Sequence, residues 1–91
     1  MFTGIIEKIG KVSHVTEKNI SQVIGIRIDD FNSALGDSIC INGVCLTVED
    51  IDDNVYSFSI SPETYNLSNF KNIKKNDDVN IEKSLTVNKL L

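Results

Sequence analysis

The chain has 91 residues, which is enough for one domain with a single core and excludes a two-domain protein. Hydrophobic residues make up 41% and charged residues 24%, an ordinary balance for a folded protein, so a disordered or low-complexity chain is also excluded. The formal net charge of −4 disfavours binding to phosphate backbones and anionic lipids. We therefore expect neither a nucleic-acid nor a membrane partner.

The expected compartment is the cytosol. No stretch approaches the roughly 18 apolar residues of a membrane helix, and the N-terminus lacks the basic and apolar blocks of a signal peptide. The two cysteines, Cys40 and Cys45, and the single histidine, His14, are too few to hold zinc, so no metal is expected. A disulfide between the cysteines is geometrically conceivable, but a cytosolic location argues against it.

Strand-forming residues, cut at short intervals by Asn, Asp and Gly, predict an all-β protein. The first strand is predicted at 5–15, where apolar residues recur every third position and a bulge at Gly10 would reconcile that spacing with a strand. We interpret His14 within it as a surface residue. A second strand is predicted at 20–28, where isoleucines alternate with other residues, and 29–36 is predicted as a loop.

The next segment is predicted to be a hairpin, because Asn42-Gly43 suits a type I′ turn with positive φ at both central residues. Counting outward pairs Cys40 with Cys45, and alternate residues face opposite sides. The apolar side is predicted to be core and carries Ile39, Ile41, Val44, Leu46 and Val48. The other side carries Ser38, Cys40, Cys45 and Thr47. Thiols and hydroxyls together suit a polar ligand or a nucleophile, although such residues are also common on ordinary strands.

The remaining segments continue this pattern. After a turn at 52–54, a strand ending at Ile60 buries alternate residues and leaves serines between them. A short helix is predicted from Ser61-Pro62 to about Ser68, with Ser61 as N-cap. Glu63 is either a favourable first-turn charge or a ligand-binding carboxylate. A last strand at 79–85 completes six short antiparallel strands and one helical turn, which favours a closed barrel.

Four segments carry a family resemblance: Met1-Phe2-Thr3-Gly4-Ile5, Leu35-Gly36-Asp37-Ser38, Asn42-Gly43-Val44-Cys45-Leu46-Thr47-Val48 and Pro62-Glu63-Thr64. In order and spacing they resemble the N-terminal barrel of riboflavin synthases, and the resemblance covers essentially the whole chain. It implies a six-stranded antiparallel Greek-key β-barrel that binds a lumazine or flavin on its outer face, between barrels. Lumazine and yellow fluorescent proteins share the fold without being enzymes, so a non-enzymatic lumazine- or flavin-binding protein is the alternative. A barrel that binds no ligand is a third.

The resemblance also implies a site. Gly4 and Ile5 would border the ring, and Cys45 and Thr47 would approach the ring or the ribityl chain. The substrate-binding residues carried over from the family motifs are Gly4, Ile5, Cys45, Leu46, Thr47, Ser61, Glu63 and Thr64. Cys45 is the implied catalytic residue, while Cys40 has no implied role.

The family enzyme dismutates two molecules of 6,7-dimethyl-8-ribityllumazine into riboflavin and a pyrimidinedione, with no metal or redox cofactor. It contains two barrels joined by a Gly-Gly-His linker, and a C-terminal helix supports trimers, whereas this sequence stops at Leu91. We interpret residues 1–91 as one lumazine-binding barrel, an excised domain that binds ligand without turning it over. The isolated barrel is expected to pair with itself as a homodimer, and the full-length enzyme as a homotrimer.

Overall fold

The computed structural model describes residues 8–18 and 21–83. Within these ranges the chain forms seven strands, one α-helix and one 3₁₀ helix, so the predicted all-β class with a short helix is confirmed. The elements are β1 Lys8–Lys18, β2 Ser21–Arg27, β3 Ser38–Ile41, β4 Val44–Thr47, β5 Asp50–Asp52, β6 Val55–Ile60, α1 Pro62–Leu67, the 3₁₀ helix Asn69–Asn72 and β7 Asp78–Lys83. Each of the six predicted strands has a counterpart in the described ranges, while the predicted positions 5–7, 20 and 84–85 lie outside them, and the three-residue β5 is additional. No helix in these ranges is long and apolar enough to cross a membrane.

The strands form one antiparallel sheet in the order β4-β3-β7-β1-β2-β6-β5. Three pairs are hairpins of consecutive strands, namely β1–β2, β3–β4 and β5–β6. The remaining pairs, β2–β6, β7–β1 and β7–β3, join strands distant in sequence, as in a Greek key. The sheet curls into a barrel-like shell around one core. Its fully buried large side chains are Val12, Ile24, Ile26, Ile28, Ile39, Ile41, Val48, Phe58, Ile60, Val79 and Ile81.

The predicted bulge exists in β1, but its position was wrong. Gly10 pairs regularly with Val79, whereas the register against β2 shifts between Val12 and His14, so that Ser13 is the extra residue. The inserted residue explains why Val12 and Val15 lie three apart and still pair with inward-facing residues of β2. His14 is exposed, as predicted.

Gly10 instead permits a close approach inside the shell. A Cβ atom there would lie 2.7 Å from Ile26 Cγ2 and 3.3 Å from Ile28 Cγ1, both in fully buried side chains. Any larger residue would press on the core at this point.

The hairpin register is confirmed pair by pair. Asn42 and Gly43 have φ values of 49° and 87°, as a type I′ turn requires, and Cys40 pairs with Cys45. The apolar side points into the core, with Ile39, Ile41, Leu46 and Val48 buried and Val44 partly buried. On the polar side only Cys40 is buried, because β3 lies between two strands and Cys40 is flanked by Cys45 and Glu82.

Candidate ligand-binding site

The exposed part of the predicted polar face lies on β4. Cys45 and Thr47 are exposed there, while Ser38 is half-buried and Cys40 is buried on the neighbouring strand. Both cysteines are free thiols. Access to solvent therefore distinguishes Cys45 and Thr47 from the rest of the face.

A backbone hydrogen bond joins the segment between β4 and β5 to β6. The Glu49 N–H donates to the Ser57 carbonyl oxygen at 2.9 Å, although Asp50 is the residue that pairs with Ser57 in the β5–β6 register. Two successive residues thus oppose Ser57, which is the arrangement of a β-bulge. The bulge shifts the register by one residue, so Glu49 is offset by one residue from the β5–β6 pairing.

β4 and β6 are not hydrogen-bonded neighbours, but extending the shifted register along β4 would set Thr47 level with Ser59 and Cys45 level with Ser61. The burial pattern supports this alignment, because the intervening residues Leu46 and Ile60 are both buried. β4 also lies against β6 in the fold. We call the outward side chains along this junction the seam face: Cys45, Thr47, Glu49, Ser57, Ser59 and Ser61.

The helix α1 begins where β6 ends and fixes two further predicted residues. Ser61 is its N-cap in extended conformation, as predicted, and its Oγ accepts a hydrogen bond from the Thr64 N–H at 3.2 Å. The same hydroxyl donates to Thr64 Oγ1 at 3.1 Å. Pro62 occupies the first turn beside the exposed Glu63. The cap therefore holds Glu63 and Thr64 next to the Ser61 end of the seam face.

Not all predicted site residues reach this surface with their side chains. The Leu46 side chain is only 7% exposed and belongs to the core, so its backbone is the part that can meet an outer-face ligand. Gly4 and Ile5 lie outside the described residues. Cys45 and Thr47 lie on β4, and Ser61, Glu63 and Thr64 lie at the junction of β6 and α1, while β4 and β6 are in contact.

Sequence reasoning missed Glu49 and Ser59. The Ser59 hydroxyl donates to Glu49 Oε1 at 2.7 Å across the seam face. The alternation of serines on β6 is the signal that could have pointed to Ser59, but the contact of β6 with the segment that follows β4 has no local sequence signature.

An open cleft of about 490 Å³ extends the seam face toward β1 and β2. Its lining includes Thr16, Val23, Glu49 and Ser59. Neither this cleft nor a smaller one of about 240 Å³, beside the Asn42–Gly43 turn and the 3₁₀ helix, is lined by any of the site residues predicted from the sequence. The larger cleft continues the site because Glu49, Ser57 and Ser59 of the seam face line it.

The seam face offers several hydroxyls, one exposed thiol and a carboxylate near each end. Hydroxyls both donate and accept, and carboxylates accept, so this surface suits a ligand with several hydroxyl groups. Among the described residues no group of three metal-binding side chains comes together. The fold and the site therefore define a small antiparallel barrel domain with a polar binding surface on its outside.

The family follows from comparison with known proteins. A family model described as "Lumazine binding domain" matches residues 3–89, and the chain belongs to this family. The curated relatives include a riboflavin synthase of Bacillus amyloliquefaciens, 34% identical over 97% of this chain, and one of Meyerozyma guilliermondii, 42% identical over 93%. The chain spans 42% and 40% of the lengths of these two relatives.

Solved structures agree with this assignment. LumP in complex with 6,7-dimethyl-8-(1'-D-ribityl)lumazine superposes with a TM-score of 0.83 at 26% identity, covering 96% of this chain and 49% of LumP. LumP complexes with flavin mononucleotide and with riboflavin give TM-scores of 0.81 and 0.82. The barrel fold predicted from the sequence is therefore that of the lumazine-binding family.

Proposed function

We propose that this chain is the N-terminal barrel of a riboflavin synthase and binds 6,7-dimethyl-8-ribityllumazine and riboflavin on the seam face. The observation that carries the proposal is the contact of β4 with β6, from which we infer that Cys45 and Thr47 align with Ser59 and Ser61 as a row of hydrogen-bonding groups on the outer face. Riboflavin synthases among the relatives, and LumP bound to lumazine and riboflavin, support this choice of ligand.

The ribityl chain supplies the hydroxyls that match this row. The Thr47 hydroxyl would donate to and accept from it, and the Ser61 hydroxyl, which donates its proton to Thr64 Oγ1, would accept from it, with Glu63 and Thr64 bonding at the helix end. Leu46 would contribute through its backbone. Gly4 and Ile5 would border the ring. No metal or redox cofactor enters this scheme.

Catalysis in the full-length protein would pass a four-carbon unit from one lumazine to the other, giving riboflavin and a pyrimidinedione. Two ligands must then lie face to face, so a second barrel is needed, and the main contributions are proximity and acid–base assistance to deprotonation of a methyl group. Cys45 is the proposed catalytic residue, since its thiol is exposed on the seam face. The isolated 91-residue barrel would bind ligand without turnover.

Substitution of Cys45 in a full-length, two-barrel protein tests the catalytic role. We expect Cys45→Ser to retain riboflavin affinity, because a hydroxyl replaces the thiol, and to lower kcat. Cys40→Ala is the matched control, because this buried thiol lies on the same hairpin outside the proposed site. A kcat for Cys45→Ser equal to that of the unsubstituted protein would contradict the assignment of Cys45.

A non-enzymatic lumazine- or flavin-binding protein is the second candidate, favoured by the superposition with LumP. Both candidates share the seam face, and the intact gene product separates them, because turnover requires a second barrel with its own site. The other proposed properties are a cytoplasmic location, a homodimer of the isolated barrel and a homotrimer of the full-length enzyme.

A further inference from the structure

The Glu49 carboxylate is held at one edge of the seam face. Its Oε1 accepts the hydrogen bond from the Ser59 hydroxyl at 2.7 Å. Glu49 follows Thr47 by two residues, so on an extended strand the two Cα atoms lie about 7 Å apart along the same side. Among the described residues no hydrogen bond to Glu49 Oε2 occurs, and that oxygen is left to accept from a ligand hydroxyl.

The cleft beside Glu49 is strongly acidic. Three carboxylates, those of Glu17, Glu49 and Asp50, line it together with the Thr16 and Ser59 hydroxyls. None of the lining residues that the structure describes is a lysine or an arginine. Like charges close to a ligand repel it, and the chain's net charge of −4 adds to the same field.

We propose that Glu49 binds the terminal hydroxyls of the ribityl chain and excludes a phosphate at that position. A carboxylate accepts hydrogen bonds from hydroxyls, whereas a phosphate dianion offers it no donor and meets three negative side chains. The barrel therefore selects riboflavin and ribityllumazine over flavin mononucleotide. The fold alone does not impose this choice, because LumP forms complexes with all three ligands.

This inference rests on the proposed function, since it takes the ribityl chain to lie along the seam face. The size of the expected preference for riboflavin over flavin mononucleotide follows from electrostatics. A doubly charged phosphate about 7 Å from one carboxylate, in a medium close to water, loses about tenfold in affinity. Removing the Glu49 charge should therefore raise the affinity for flavin mononucleotide by about the same factor.

The test compares riboflavin and flavin mononucleotide titrations, followed by flavin fluorescence at low ionic strength, for the unsubstituted chain and Glu49→Gln. The glutamine amide oxygen still accepts from Ser59, so the local structure is kept while the charge is removed. We expect the ratio of the two dissociation constants to fall by about tenfold, mainly through tighter binding of flavin mononucleotide. Added salt should shrink the ratio in the unsubstituted chain more than in Glu49→Gln.

Two further variants test whether the effect depends on the position and the orientation of the Glu49 carboxylate. Asp53→Asn removes the same charge from the exposed β5–β6 turn, where its φ of 59° suits asparagine, and should leave the ratio unchanged. Ser59→Ala removes the hydrogen bond that holds the Glu49 carboxylate in place. The ratio of the two dissociation constants should therefore fall, but by less than in Glu49→Gln. An unchanged ratio in Glu49→Gln, with riboflavin still bound, would overturn this inference alone. Failure of the unsubstituted chain to bind riboflavin would overturn the proposed function and this inference with it.

Discussion

At the residue scale, two cysteines paired across one hairpin have different surroundings. Cys40 is only 7% exposed, whereas Cys45 faces solvent. Burial raises the pKa of the Cys40 thiol, a hydrogen bond with the Gly43 backbone opposes that shift, and the nearby Glu82 and Cys45 add to it. The thiolate is the nucleophilic form, so the raised pKa and the burial both make Cys40 inert.

Alkylation should therefore distinguish the two thiols. We expect iodoacetamide at mildly alkaline pH to modify Cys45 first and Cys40 much more slowly, because a raised pKa lowers the thiolate fraction at any pH below it. Mass spectrometry of digested time points measures both rates, and Cys45→Ser is the control that leaves Cys40 alone. Bound riboflavin should slow modification of Cys45. Equal rates at the two cysteines would contradict the described packing.

At the element scale, strand β1 packs closely against β2 through its glycine. We predict that Gly10→Ala costs about 1–3 kcal/mol of unfolding free energy, because the new Cβ meets the buried Ile26 side chain at 2.7 Å and overpacks the core. Gly25→Ala is the matched control, since its Cβ meets the exposed His14 ring, which can turn toward solvent. Urea denaturation of both variants measures the difference. A larger loss of unfolding free energy in Gly25→Ala than in Gly10→Ala would contradict the described packing of β1 against β2.

Elements with local signals were predictable from the sequence. The Asn42-Gly43 turn is compatible with one register, so the side of the sheet that each residue of β3 and β4 faces was predictable. The Ser61-Pro62 pair likewise predicted where α1 begins. The bulge in β1 was predictable only as a break in spacing, because a bulge at Ser13 carries no glycine to mark it. The contact of β4 with β6 was not predictable, since it depends on a register shift between segments whose pairing is set by the whole sheet.

At the scale of the whole molecule, the candidate site is a surface rather than an enclosed pocket. The seam face lies on the outside of a shell whose interior is filled by its own side chains, so the bound ring would keep one side uncovered. An open face that leaves a bound ring uncovered in this way favours contact with a second barrel. That exposure is the basis of the proposed homodimer of the isolated barrel.

The most direct test of the central claim is a titration of the 91-residue chain with riboflavin, followed by fluorescence quenching, with sedimentation velocity on the same samples. We predict saturable binding of one riboflavin per chain, and dimers whose proportion rises with protein concentration. Sedimentation as a monomer at every concentration would contradict self-pairing while leaving the site intact. Absence of saturable riboflavin binding would contradict the proposal that the seam face is a flavin site.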